Sequence, residues 1–139
     1  MAAMVSGCGG GGDTPTGPST APSLNVAFST TDLRVGTGTE ISNGRQVVLH
    51  YTGWIYSPTA TDNKGQQFDS SRDPGKTPLA FVFPGNYIQG FNMGMSGMRA
   101  GGLRRVVIPP NLGYGNNSPG SPIRANETLL FEMEAVTVQ

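Results

Sequence analysis

Six aromatic residues, Tyr51, Phe68, Phe81, Phe91, Tyr114 and Phe131, are spread along this chain on strand-like or turn-flanking stretches, and a carboxylate, Asp69, directly follows Phe68. Each ring alone is ordinary core material. Together, with one acid and two phenol hydroxyls, they have the makeup of an apolar concavity carrying a few placed polar groups, the general form of a small-ligand or peptide pocket. The polar alternatives are poor. One His and one Cys, His50 and Cys8, lie far apart and do not make a zinc site. No nucleophile elbow accompanies the serines, no Walker loop is present, and the scattered Gly-x-x-x-Gly spacings are not phosphate motifs. His50 stands between Leu49 and Tyr51 in an alternating run and reads as a hydrogen-bonded sheet histidine, not a general base. The expected chemistry needs neither metal nor cofactor.

The elements that must position these rings centre on residues 87–115. Phe91, Met95 and Met98 recur at helical spacing; Asn92, Ser96 and Arg99 form a polar stripe, and Gly90, Gly94 and Gly97 a bare one. Each such glycine costs roughly 1 kcal/mol of helix stability against alanine. A helix of this kind persists only when packed against a close neighbour. Asn86 is its expected N-cap. The β-branched run Leu103 to Ile108 reads as the strand beneath it, with Tyr114 returning above. Further strands are expected at Leu33–Val35, from Val47 through Tyr56, at Phe68–Ser71, at Leu79–Phe83 and over Thr128–Val138, where Leu129, Phe131, Met133 and Ala135 face inward and Glu132 and Glu134 outward. Residues 57–66 read as a surface loop. This pattern predicts an α+β fold, a twisted antiparallel sheet wrapped around one short helix.

Composition bounds the rest. The 139 residues allow one core. Nine basic and nine acidic residues leave a net charge of +0 without a basic patch, which argues against nucleic acid as a partner. No apolar run approaches the roughly 20 residues of a membrane-spanning helix. Residues 1–23, rich in Gly, Pro, Ser and Thr, read as a flexible tether ahead of a domain over 24–139. Val5-Ser6-Gly7-Cys8 resembles the lipobox of bacterial lipoproteins, which would make Cys8 a lipid attachment point and the cell envelope or periplasm the compartment. A free linker cysteine in a cytoplasmic protein is the plainer alternative.

Five segments taken in order carry a more specific resemblance: His50-Tyr51-Thr52-Gly53, Phe68-Asp69-Ser70-Ser71-Arg72, Ile88-Gln89-Gly90-Phe91, Ile108-Pro109-Pro110 with Tyr114-Gly115, and Leu129-Leu130-Phe131-Glu132. In order and spacing the chain, from about Leu33 to Val138, resembles the FKBP family of peptidyl-prolyl cis-trans isomerases, which also bind immunosuppressive macrolides. The resemblance implies an antiparallel sheet curled on one helix, and a monomer acting on proline-containing polypeptides to assist folding. It implies Phe91 as the pocket floor; Tyr51, Phe68, Phe81 and Phe131 as walls, with Leu79 at a further wall position; and Ile123 on the flap side. Asp69 would point inward, held by Tyr51. The Ile88 N–H and the Tyr114 hydroxyl would bond substrate carbonyls.

The chain departs from the family pattern in four places. Phe91 stands where Trp is usual and Leu79 where Phe is usual; the loop over 57–67 is longer, and the segment between Gly85 and Ile88 shorter. These departures bear on affinity and sequence preference. They also keep open two other readings: a peptide-binding or chaperone module that uses the same pocket without turnover, and a lipoprotein that only displays a surface.

Overall fold

Alternation of apolar and polar residues fixes which face each strand buries, and in the computed structural model, which describes residue 21 and residues 24–139, that alternation closes one sheet over one helix. The strands are β1 (Ser29–Arg34), β2 (Gln46–Tyr56), β3 (Lys64–Ser70), β4 (Leu79–Val82), β5 (Leu103–Ile108) and β6 (Leu129–Val138), with the helix α1 (Gln89–Met95) between β4 and β5. All pair antiparallel, in the order β1-β5-β6-β2-β3, and β4 also pairs with β2. The first strand is longer than the Leu33–Val35 expectation and begins at Ser29.

The inner face is built as the alternation predicts. Val47, Leu49, Val106, Ile108, Leu129, Phe131, Met133 and Ala135 are buried together with Phe91, Met95 and Met98. On the outer face Glu132 pairs with Lys64 at 3.0 Å and Arg105 at 3.2 Å, and Glu134 pairs with Arg34 at 2.9 Å and with Arg72. Exposed pairs of this kind contribute about 0–1 kcal/mol each. The edge strand β3 is irregular. Its register against β2 shifts between Gly53 and Trp54 and again between Trp54 and Tyr56, and Lys64 folds back over the Trp54 ring at 4.5 Å.

One edge of β2 is shared. β4 pairs with Gln46–Leu49 and β3 with Thr52–Tyr56, so neither strand pairs with His50 or Tyr51. Ser71 fills that break. Its N–H donates to the Tyr51 carbonyl at 2.9 Å, its hydroxyl accepts the Tyr51 N–H at 2.9 Å, and His50 Nδ1 lies 2.9 Å from the same oxygen. Ser71 is 2% exposed, and bonds to both neighbouring residues are what make burial of its hydroxyl tolerable. His50 is accordingly a hydrogen-bonded sheet residue.

The glycine stripe of α1 does what a bare face can do. A Cβ on Gly90 would lie 2.5 Å from Ile108 Cγ2, and one on Gly94 2.7 Å from Val106 Cγ1. Gly97 lies past the helix in a left-handed conformation, φ +81°, that favours glycine. Met98 also falls beyond the helix yet is buried. Arg104 on β5 donates to the carbonyls of Gly94 and Ser96 at 2.9 and 3.0 Å, a cation placed at the negative end of the helix.

Two expectations are corrected. Asn86 does not cap α1: the N-cap is Ile88, with no side-chain bond, because the helix starts two residues later than an Asn86 cap requires. Ala21, inside the segment read as tether, is 5% exposed and donates its N–H to Ala125 at 2.8 Å, since a side chain this small fits a closed site. Cys8 and the lipobox-like tetrapeptide lie outside the described residues.

Gly90→Ala should therefore destabilise the protein, although alanine favours helix by roughly 1 kcal/mol. The methyl meets Ile108 and, at 3.0 Å, the Leu112 carbonyl, and overpacking of this kind costs about 1–3 kcal/mol. A lower urea midpoint at unchanged m-value is the expected result; a raised midpoint would show that α1 can lift off β5.

Candidate binding and catalytic site

Where α1 meets the inner face, the rings converge. Phe91 is 4% exposed and takes the edges of three neighbours: Tyr51 at 5.8 Å between centroids, Tyr87 at 5.1 Å and Phe131 at 5.1 Å. Phe68 stands perpendicular to Phe131 at 5.5 Å. Edge-to-face packing of this kind favours the ring quadrupoles. Above Phe91 opens a cavity of about 490 Å³ lined by Tyr51, Phe68, Leu79, Phe91, Tyr114 and Phe131, with Asp69, Asn86, Tyr87 and Ile88 at its polar side and along one wall. Its volume lies in the ordinary range for small-molecule and peptide sites.

Of the site residues expected from sequence, eight line this cavity: Tyr51, Phe68, Asp69, Leu79, Ile88, Phe91, Tyr114 and Phe131. Phe81 and Ile123 do not. Phe81 pairs with Val47 on β2, two residues along β4 from Leu79, and its ring packs against Tyr87 at 5.1 Å, behind the wall instead of on it. Ile123 is 6% exposed and belongs to the core. Two lining residues were missed. Tyr87 supplies a ring beside Phe91, filling space next to a floor smaller than tryptophan, and Asn86 turns to the cavity instead of capping the helix. An aromatic residue directly before Ile88 was the available signal for Tyr87.

The polar side is organised around Asp69. Its Oδ2 accepts the Tyr51 hydroxyl, and its Oδ1 accepts Lys76 Nζ at 2.8 Å and the Ser70 N–H at 2.9 Å. Burial pushes the Asp69 carboxyl up, but the bonds from Lys76 and Tyr51 outweigh it and hold the group below the usual value. Asp69 is therefore ionised at neutral pH and a poor proton acceptor. Burial, then the bond to Asp69, pushes the Tyr51 phenol well up; burial also raises Tyr87, and burial with the charge of Asp69 raises Tyr114. Among the described residues the Ile88 N–H and the Tyr114 hydroxyl have no hydrogen-bond partner, which leaves two donors at the cavity. No group of three or more His, Cys, Asp or Glu stands close enough to hold a metal among the described residues.

Comparison with known proteins gives one consistent result. Residues 38–136 match the family described as FKBP-type peptidyl-prolyl cis-trans isomerase. The chain is 41% identical over 106 residues to FK506-binding protein 1 of Aspergillus oryzae, covering 74% of this chain and 90% of that protein. It is 36% identical over 107 residues to the FK506-binding protein of Neisseria meningitidis serogroup B, covering 77% and 92%. Among solved structures it resembles FkpA from Escherichia coli, with TM-score 0.67 and 30% identity over 85% of this chain and 51% of that one. It likewise resembles AtFKBP13, with TM-score 0.67 and 32% identity over 81% and 93%.

The Asp69 network makes a prediction about pH. Its carboxyl is depressed in the folded state, so its contribution to stability is present above the unfolded value of about 4 and is lost as pH falls through the folded value. Wild type should exceed Asp69→Asn in urea midpoint at pH 7, by an amount limited by the half-exposed Lys76, and the gap should narrow progressively as pH falls below the unfolded value. A gap that stays constant with pH would mean that the charge of Asp69 plays no part.

Proposed function

The chain belongs to the FKBP-type peptidyl-prolyl cis-trans isomerase family, and from that premise we propose that its aromatic cavity is where an X-Pro bond is held and turned. The observation that carries this reading is the ring cluster on Phe91 lining a cavity of about 490 Å³, with two donors that have no partner among the described residues and one fixed carboxylate at its side. Proline fills an apolar, ring-walled space well, and the donors suit the carbonyls on either side of it.

The mechanism requires no bond to break. Amide resonance gives the X-Pro bond a barrier of about 20 kcal/mol and an uncatalysed time of tens to hundreds of seconds. Twisting the amide removes the resonance and much of its polarity. An apolar surface made by Phe68, Phe91 and Phe131 favours the less polar twisted amide over the planar one, which water solvates well. The Ile88 N–H and the Tyr114 hydroxyl are assigned to the flanking carbonyls, which holds the chain in a turn compatible with rotation. Asp69 orients Tyr51 and sets the field at the mouth; a carboxyl held this low does not act as a base. The same apolar contacts would accept a macrolide of the FK506 type, which should compete with peptide. Assistance to proteins whose folding waits on proline follows from the same chemistry.

A lipobox-like Val5–Cys8 adds the proposal that the enzyme works tethered to a membrane. In the native host Cys8→Ser should then move the protein from the membrane to the soluble fraction, and an unchanged distribution rules the tether out.

The full chain should accelerate cis-to-trans conversion of peptides with an apolar residue before proline, because a charged one would have to be desolvated at the rim. Tyr114→Phe should lower kcat/KM by roughly 2- to 10-fold, the worth of one hydrogen bond. Between about pH 6 and pH 8 kcat/KM should be flat, since the cavity's carboxyl lies below that window and its phenols above it. Rates equal to background with both Leu-Pro and Phe-Pro peptides leave the binding-module reading, and a bell-shaped profile with a loss of several orders of magnitude in Tyr114→Phe replaces the mechanism with acid–base chemistry.

A further inference from the structure

The cavity wall made by Asn86, Tyr87 and Ile88 is a loop, and one side chain outside the cavity holds it. Asn92 lies on α1 directly after Phe91. Its Oδ1 accepts the Gly85 N–H at 3.0 Å, and its Nδ2 donates to the Gly85 carbonyl at 2.9 Å. Two bonds to one residue fix the rotation of that residue as well as its position, and the donor and acceptor pattern allows only one orientation of the carboxamide. Among the described residues these are the only hydrogen bonds made by the backbone between Phe83 and Ile88. The first turn of α1 offers no substitute, because its N-cap has no polar side chain.

The clamped residue is the one on which the wall rests. A Cβ on Gly85 would fall 2.6 Å from Cδ2 of Tyr87 and 3.1 Å from Cδ2 of Phe81, so the Tyr87 ring occupies the place a side chain would take. That ring in turn meets Phe81 and Phe91, each at 5.1 Å. A chain of contacts therefore runs from Asn92 through Gly85 to Tyr87 and the cavity, and the next residue along the loop carries the Ile88 N–H.

We infer that Asn92 is a positioning residue of this isomerase: its two-bond clamp on Gly85 sets the Tyr87–Ile88 wall and thereby how tightly the cavity holds the segment around proline. The inference rests on the reading of the aromatic cavity as the site of isomerisation. It also bears on the shorter segment between Gly85 and Ile88, where one side chain can hold the whole loop. Asn92 touches no substrate and acts on binding alone.

The test is a KM-against-kcat split on full-length protein, referred to the folded fraction measured by circular dichroism. Asn92→Ala removes both bonds and should raise KM for a Leu-Pro peptide about threefold to tenfold, with kcat within about twofold, if on the order of one bond's net worth reaches the cavity wall. Asn92→Asp, which keeps the side chain's shape but removes the donor to the Gly85 carbonyl, should do the same and serves if Asn92→Ala folds poorly. In a Tyr87→Leu background the effect of Asn92→Ala should be well below its effect in wild type, because the clamp acts through that ring. An unchanged KM in both clamp variants, or full additivity with Tyr87→Leu, overturns the inference while Tyr114→Phe still lowers kcat/KM. If Tyr114→Phe and Tyr87→Leu are also without effect, the cavity is not the site, and the proposed function fails before the clamp does.

Discussion

Everything in this protein depends on how closely α1 approaches β5. Gly90 and Gly94 remove the methyl groups that would hold the helix off Ile108 and Val106, and only at that distance does Phe91 reach Phe131 on the neighbouring strand. The glycines weaken the helix as a helix, and packing has to compensate. Arg104 contributes from the same strand, drawing the last carbonyls of α1 toward the sheet. A seven-residue helix of this composition has no stability of its own in water. It exists because the sheet closes on it, and the cavity is the space left where that closure is incomplete.

The polar half of the site has a separate origin. β2 is paired by two different strands along one edge, and at the change-over the backbone of Tyr51 would be left without partners. The end of β3 and the residue after it supply them, Ser71 to the Tyr51 backbone and Asp69 to the Tyr51 hydroxyl. One repair thus fixes a ring in the cavity wall and a carboxylate beside it. Lys76 completes the arrangement from the following loop. Three bonds hold the carboxylate in place, and those from Lys76 and Tyr51 keep it ionised.

Much of this was legible in the sequence because it rests on periodicity. The alternation Val47, Leu49, Tyr51 and the inward run Leu129 to Ala135 fix the faces of the two central strands, and the glycine spacing in α1 shows that a strand lies close by. Errors arose where position along an element mattered more than face. Phe81 faces inward like Leu79, but two residues along β4 carry it past the cavity mouth to the back of Tyr87. Asn86 has the right chemistry for a cap, yet the helix begins after it, and Asn92 takes over the loop backbone from the other side. The aromatic residue before Ile88 marked Tyr87 as a candidate, but its orientation depends on the empty face of Gly85, a contact that no local pattern records.

The irregular edge at β3 has a consequence for a protein that handles extended chains. A straight exposed edge invites such a chain to add as a further strand, gaining many backbone bonds at once and leaving slowly. Here two shifts of register and the folded-back Lys64 break up that edge. On the proposed function, client chains are denied a long backbone ladder at this edge, and those held at the rings engage through side chains. Attachment of that kind would be brief, and a brief stay would let one molecule serve many prolines in succession.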